Sequence, residues 1–209
     1  MKKGIIVNLK RIKLLDYVTL NKLFIILCIL FIFGVIIGAI FFPNEGNILN
    51  HVKSLLDRYI TIHTTGNFIK QIIFSFVGYS GILCLYFISG TSMLGCVFTL
   101  FLMIWQGIIC GGIGKYLYST YGLTGIAFNA IILIPHLAIF TVCCFFAARH
   151  AIDYSILLAK LTFPHTKPST LYIGFKCYCG KFLLFTGIAF LCTIIDFLLN
   201  LLFLKFFNF

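Results

Sequence analysis

The stretch FSFVGYSGILCLYFISGTSMLG, residues 74–95, contains the feature that decides the fold of this chain. It joins two apolar runs, 68–89 and 92–114, through the short connection Ser-Gly-Thr. An apolar run of about 20 residues crosses the hydrocarbon core of a membrane as a helix, since a helix satisfies its own backbone hydrogen bonds. So short a connection predicts that the two helices form a tight antiparallel hairpin.

Three further apolar runs on either side of the hairpin raise the predicted number of membrane-spanning helices to about five. The predicted spans are 23–42, 68–89, 92–114, 123–148 and 182–204. The composition agrees, because only 10% of the 209 residues are charged and the mean hydropathy is +1.10, whereas soluble domains carry about 25% charged residues. We therefore predict an all-α polytopic integral membrane helical bundle, a single membrane domain over residues 23–209. The first span is expected to remain as a signal anchor.

The net charge of +11 is distributed in a way that indicates topology rather than nucleic-acid binding. Eleven of the 16 basic residues lie in the N-terminal segment 1–22 and in the loop 149–181 between the last two spans. The start of this loop, RHAIDYSILLAKLTF, is expected to extend the fourth helix along the membrane surface until Pro164 and Pro168 stop it. The positive-inside rule then predicts a cell-membrane protein with a cytoplasmic N-terminus and an external C-terminus. The basic segments are expected to contact anionic membrane lipid.

The longest predicted external segment, residues 43–67, has the pattern of an amphipathic helix. Two interpretations stay open and are compatible: its apolar face rests on the membrane or on the helix ends, or its polar face receives an extracytoplasmic partner. The residues predicted to contact a partner are Asn50, Lys53, Ser54, Asp57, Arg58 and Thr61.

Small residues recur at helical spacing in three of the spans, which predicts close packing of helix backbones. The stripes are Gly34 and Gly38 in the first span, Ser75, Gly78 and Gly81 in the second, and Gly107, Gly111 and Gly114 in the third. Packing within the chain is the favoured interpretation, and homo-oligomerisation through the first stripe is the alternative.

Several polar residues lie inside the predicted spans, where an unpaired carboxylate is costly. They are Gln106, Asn129, His136, Asp196 and Asn200. Pro135 is expected to kink the fourth span next to His136. His136 is predicted near the centre of the fourth span and Asp196 near the middle of the fifth. Because these depths are similar, we predict that they pair, either as a clamp between the two spans or as a proton relay.

Ser80, within Gly78-Tyr79-Ser80-Gly81, resembles the G-x-S-G motif of rhomboid intramembrane proteases, with His136 as a possible base. The first span lacks the His and Asn of those proteases, bulky residues follow His136, and water is scarce at mid-span. We therefore interpret Ser80 as a packing residue and the chain as a protein without enzymatic activity. The nine cysteines form no C-x-x-C, so neither a metal site nor a cofactor site is predicted.

The whole pattern resembles the stage II sporulation protein M family. The resemblance is carried by the basic start, FGVIIGAIF at the end of the first span, the hairpin, FLMIWQGIICGGIGKYL, and above all YGLTGIAFNAIILIPHLAIF at residues 121–140. It implies a membrane scaffold of the engulfment stage of endospore formation, located in the mother-cell membrane at the septum. Such a scaffold would localise a peptidoglycan-degrading complex with stage II sporulation proteins D and P.

A function of a different class stays open beside the scaffold. Broader relatives of this membrane domain resemble permease or accessory subunits of ABC-type transport systems. In that case polar residues such as His136 and Asp196 would line a substrate path in a dimer, and the loop 149–181 would meet a cytoplasmic ATPase.

Overall fold

The computed structural model describes residues 22–41, 54, 58–59, 61–62, 67–161 and 168–203, the side chains of 160–161 and 168–173 excepted. The described chain is helical, in agreement with the predicted all-α membrane bundle. The long helices are α1 Lys22–Phe41, α2 Phe68–Gly90, α3 Gly95–Phe128, α4 Ile134–Leu161 and α5 Pro168–Phe203, with a π-helical turn at Asn129–Leu133 between α3 and α4.

Helix α1 packs mainly on α3, and the contact is made by glycine backbones. A methyl group added at Gly34 would overlap the carbonyl oxygen of Ile104, and one added at Gly107 would overlap the carbonyl oxygen of Phe31. Gly38 and Gly111 make the equivalent close approaches one turn later. The Gly34–Gly38 stripe is therefore occupied within the chain, which leaves little of it for a second copy.

The predicted hairpin of α2 and α3 turns at residues 91–94 and is held by side chains from two other helices. The hydroxyl of Ser155, on α4, donates to the carbonyl of Ser92 at 2.8 Å and accepts the amide of Cys96 at 3.1 Å. The hydroxyl of Tyr178, on α5, donates to the carbonyl of Phe87 at 2.9 Å. These bonds satisfy backbone groups that the helix ends would otherwise leave without partners.

The chain reverses direction at Gly122, inside α3. Gly122 has a φ of +57° and a ψ of −131°, a backbone conformation that glycine adopts without steric cost. After the reversal Gly125 lies directly against the carbonyl of Leu117. Residues 115–121 were predicted as a short connection; they extend the helix instead, and the turn is confined to Gly122.

Pro135 was expected to kink the fourth span, and the helix accommodates it through the π-helical turn just before it. The amide of Ile134 bonds to the carbonyl of Asn129, five residues back instead of four. Such a turn inserts one residue and rotates everything that follows it around the helix axis. Its consequence here is the orientation of His136.

The segment between the last two predicted spans, 149–181, was expected to be a loop, and much of it is helical. Helix α4 continues to Leu161, as the apolar repeat after Arg149 suggested, and α5 begins at Pro168. Pro168 was expected to stop a helix; it starts one, because a proline at the first helical position loses no hydrogen bond.

Four stretches of the described chain are long and apolar enough to cross a membrane: Lys22–Phe41, Phe68–Gly90, Gly95–Ala159 and Gly174–Phe203. The third has 65 residues and contains the reversal at Gly122, so it has the length for two passes. The number of five crossings and their orientation stay predictions.

One predicted packing face is wrong. Gly78 and Gly81 lie on the exposed side of α2, and no described atom outside their own helix lies within 4 Å of a methyl group placed on either. Residues three apart in an α-helix are displaced by about 60°, so the three-residue spacing drifts away from Ser75. The buried side follows a spacing of mostly four residues: Gln71, Ser75, Tyr79, Leu83 and Tyr86.

Candidate functional site

The most distinctive site in the described chain is a cluster of buried polar side chains around the carboxylate of Asp196. Asp196 is 1% exposed and Asn200, one turn later on α5, is 3% exposed. The amide of Asn200 donates to Oδ1 of Asp196 at 2.9 Å. This pair shares one face of α5 because residues four apart are neighbours on a helix.

A second helix contributes to the cluster through Ser75. The Ser75 hydroxyl donates to Oδ2 of Asp196 at 2.6 Å, across 121 positions of sequence. The bond is short, as expected when the acceptor is a carboxylate. It connects the buried side of α2 to α5.

His136, on α4, reaches the same carboxylate. Its Nδ1 lies 3.6 Å from Oδ1 of Asp196, and both side chains are almost completely buried, at 2% and 1% exposure. The predicted juxtaposition of His136 and Asp196 is therefore present, and the ring of Tyr79 lies beside that of His136, with centroids 6.2 Å apart. The contact places α4 against α5 at this depth.

The external segment supplies the remaining group, Tyr59. Its hydroxyl donates to Oδ1 of Asp196 at 2.6 Å and accepts the amide of Asn200 at 2.6 Å. Burial raises the pKa of Tyr59 well above its ordinary value, and the neighbouring carboxylate of Asp196 raises it further. The phenol therefore stays protonated and acts as a donor at physiological pH.

The cluster lies toward one end of the bundle rather than at mid-span. Ser75 is seven residues from the start of α2 and Asp196 is seven residues from the end of α5, which corresponds to about 10 Å along each helix. Asp196 was predicted near the middle of the last span; the longer α5 places it nearer the end that carries the external segment. This position lets a tyrosine from outside the spans reach it.

Chemically, the arrangement suits retention of a buried carboxylate. Three donors from three segments, Ser75, Tyr59 and Asn200, converge on the two oxygens of Asp196. A buried carboxylate is tolerated when its oxygens are hydrogen-bonded and becomes strongly destabilising when its partners are removed. The cluster therefore ties α2, α4, α5 and the external segment together.

Ser80 does not take part in this cluster. Its hydroxyl donates to the carbonyl of Val77, three residues earlier on the same helix, at 3.2 Å. Within the described residues no group of three His, Cys, Asp or Glu side chains is placed to hold a metal ion.

The remaining intramembrane polar residues have separate environments. Gln106 accepts the hydroxyl of Tyr86 at 3.0 Å, and Asn129 is the first residue of the π-helical turn. A methyl group on Gly114 would lie 3.5 Å from the Asn129 amide, so this glycine faces the start of that turn.

Of the residues predicted to contact a partner, three are described. Ser54, Arg58 and Thr61 are helical and exposed, on the segment whose Tyr59 is directed into the bundle. Asn50, Lys53 and Asp57 lie outside the described residues.

Two members of the cluster were not assigned to it from the sequence. The sequence pattern places Ser75 in a predicted packing stripe and Tyr59 in a segment with an amphipathic pattern. The need of a buried carboxylate for several hydrogen-bond donors could have indicated them. Serine and tyrosine both carry a hydroxyl donor and both occur on otherwise apolar helix faces. Their positions, 121 and 137 residues before Asp196, gave no pattern to recognise.

Comparison with known proteins finds no matching family model, no matching curated protein and no matching solved structure.

Proposed function

We propose that this chain is a non-enzymatic membrane scaffold that presents the polar side of segment 43–67 to an extracytoplasmic partner. The observation that supports the proposal is the hydrogen bond of 2.6 Å between Tyr59 and Asp196. It attaches the external segment to the interior of the bundle at a fixed point. Arg58, the residue before Tyr59, is meanwhile exposed.

A fixed segment is a better docking surface than a free one. Association costs free energy when a mobile segment must be ordered, and a segment already held in place avoids that cost. The cluster around Asp196 supplies the attachment, and the exposed side chains of Ser54, Arg58 and Thr61 supply the surface.

The resemblance to the stage II sporulation protein M family suggests who the partner is. On that basis the scaffold holds a peptidoglycan-degrading complex, in which stage II sporulation proteins D and P carry the hydrolytic activities. Its place of action would be the mother-cell membrane at the septum during engulfment. The proposal assigns the chain no catalytic step of its own.

The test is co-purification of the full chain from sporulating cells, with mass spectrometry of the recovered proteins. We expect the sporulation hydrolases, and we expect Arg58→Glu to reduce their recovery about tenfold, as for loss of a polar contact to an interface charge. Lys70→Glu is the matched control, because Lys70 is also exposed and basic but lies on α2, outside the segment.

Two results would contradict the scaffold. Recovery of a cytoplasmic ATPase in place of the hydrolases would favour the transport-subunit alternative. Equal loss with Arg58→Glu and Lys70→Glu would mean that the segment is not the contact surface.

A further inference from the structure

A second site lies at the opposite end of the bundle, between α4 and α5. It is a cleft of about 290 Å³ in the segment predicted to lie at the cytoplasmic surface. His150 is 28 residues beyond the reversal at Gly122, which is about 40 Å along a helix and exceeds the hydrocarbon thickness of about 30 Å. With Gly122 at the opposite edge of the membrane, where the predicted spans place it, this length puts the cleft at the predicted depth of lipid headgroups.

The polar wall of the cleft is formed by His150 and Lys181. The Lys181 ammonium lies 3.4 Å from Nδ1 of His150. An ammonium group can only donate, so Nδ1 of a neutral imidazole accepts, and the proton of His150 resides on Nε2. Stacking on the ring of Phe185, with centroids 5.9 Å apart, holds the imidazole plane. The pair thus retains N–H donors on both the ammonium and Nε2 for a further acceptor.

The other wall is aromatic and apolar. The rings of Tyr154 and Tyr178 stack at 4.5 Å with an interplanar angle of 14°, and Leu157 lies beside them in the lining. Because the Tyr178 hydroxyl is bonded to the carbonyl of Phe87, this residue offers the cleft its ring rather than a donor. Gly174 keeps α5 close at this level, since a methyl group there would lie 3.1 Å from the Leu157 side chain.

We propose that this cleft binds the phosphodiester headgroup of an anionic phospholipid, with Lys181 and His150 as the phosphate-binding residues. Basic pockets between helices at the cytoplasmic surface suit such headgroups. The aromatic wall would carry the glycerol backbone and the first methylenes of the acyl chains. Asp153 is exposed in the lining of the cleft. Its carboxylate repels a bare phosphate but can accept a hydrogen bond from a hydroxyl group on the headgroup.

The experiment uses the full chain purified in a neutral detergent. Phosphatidylglycerol in mixed micelles is the probe, and the thermal-melting shift as a function of its mole fraction gives an apparent affinity. We expect Lys181→Gln to weaken the affinity about tenfold, the effect of losing a charge-assisted hydrogen bond. Lys176→Gln, an exposed lysine on the same helix outside the cleft lining, should change it less than twofold.

Lys181→Arg retains the charge and should restore binding to within about threefold, which separates loss of the ligand from loss of the fold. Equal weakening by Lys181→Gln and Lys176→Gln would overturn the proposal, because it would show diffuse attraction to a basic surface. Equal binding of phosphatidylcholine would also overturn it. A shift of the same size with free glycerol 3-phosphate would assign the cleft to a soluble phosphate ester and overturn the lipid assignment.

Discussion

The glycine contact between α1 and α3 and the polar cluster around Asp196 hold helices together by opposite means. In the first, Gly34 and Gly107 remove side chains so that backbones touch. In the second, Asp196 and Ser75 place polar side chains between helices and satisfy them with short hydrogen bonds. Lipid chains are as apolar as leucine, so burial of apolar area gives little attraction between helices, and close packing and hydrogen bonding must supply it.

The two regions also differ in what they connect. The glycine contact joins two helices along a continuous line of backbone. The cluster joins three helices and residue 59 of the segment 43–67 at one carboxylate, so it couples that segment to the interior of the bundle. This difference predicts that changes in the glycine contact affect the bundle alone, whereas changes in the cluster affect the bundle and the segment together.

The largest expected effect is that of Gly111→Leu. Even a methyl group at this position would overlap the carbonyl of Val35, a backbone atom that cannot rotate away. Overpacking commonly costs about 1–3 kcal/mol, and a four-carbon side chain against backbone exceeds that range. We expect almost no folded protein by size-exclusion chromatography in detergent.

The matched control is Gly81→Leu, which places the same side chain on the exposed side of α2. A packing stripe through Gly81 would make this substitution disruptive, but because the structure places Gly81 on the exposed side of α2 we expect a folded chain. If both variants fail to fold, close contact between α1 and α3 is not the reason. The role assigned to the glycine contact would then be contradicted.

The next effect in size is that of Asp196→Ala. It leaves the hydroxyls of Ser75 and Tyr59 without their acceptor in a buried site, and two such unsatisfied donors cost about 2–6 kcal/mol together, at about 1–3 kcal/mol each. We expect a loss of this size in the free energy of unfolding, measured by denaturant titration in detergent. Trypsin should also cleave faster after Arg58, because the segment loses its attachment.

Asp153→Ala serves as the control, since Asp153 is an exposed carboxylate on α4 far along the helix from the cluster. It should leave both the free energy of unfolding and the cleavage rate nearly unchanged. Lower stability of Asp196→Ala with no change in cleavage would show that the cluster holds the helices but not the segment.

The glycine contact and the cluster around Asp196 also differ in how far the sequence alone predicts them. In each of the two helices the glycines are four residues apart: Gly34 and Gly38 in α1, Gly107 and Gly111 in α3. The sequence of each span by itself therefore predicts that its glycines share one face. The juxtaposition of His136 with Asp196 could be predicted because charged groups in a membrane need partners and few are available.

What could not be predicted depends on geometry that no local pattern encodes. The π-helical turn before Pro135 rotates His136 by an inserted residue, and the Tyr59 hydroxyl meets Asp196 across 137 positions of sequence. The error at Gly78 and Gly81 has a different origin: a three-residue spacing looks like a stripe, but it drifts around the helix by about 60° per step. The helical extension beyond Arg149 was partly expected, whereas the start of α5 at Pro168 was not.

A smaller effect is expected for Tyr59→Phe, which removes one hydroxyl and keeps the ring. The hydroxyl donates to Asp196 and accepts from Asn200, and a hydrogen bond to a charged group contributes about 1.5–3 kcal/mol. Because the pKa of Tyr59 is raised on folding, its contribution is fully present below its unfolded pKa of about 10 and declines only as the pH rises further. Denaturant titration at pH 7 measures the loss in the free energy of unfolding that Tyr59→Phe causes.

Tyr118→Phe provides the comparison, because Tyr118 is 60% exposed and lies on α3. It should change the free energy of unfolding by less than about 0.5 kcal/mol, as surface substitutions do. Equal effects of the two changes would mean that the Tyr59 hydroxyl does not attach the segment. Tyr59→Phe should in addition speed trypsin cleavage after Arg58, by less than Asp196→Ala does.

The smallest effect is that of Ser80→Ala, and it bears directly on whether the cluster is a site of chemistry or of attachment. The Ser80 hydroxyl is bonded to the carbonyl of Val77 on its own helix, so its loss should cost less than about 0.5 kcal/mol and leave the recovery of hydrolases unchanged. The same substitution five residues earlier, Ser75→Ala, removes a donor to Asp196 and should cost about 1–3 kcal/mol. If Ser80→Ala abolished function while the fold and the Ser75 bond stayed intact, a nucleophilic serine would have to be reconsidered. If the two serine variants instead differ as expected, the hydroxyl that matters on α2 is the one that meets the carboxylate, because it shares the helix face of Tyr79 and Leu83 and Ser80 does not.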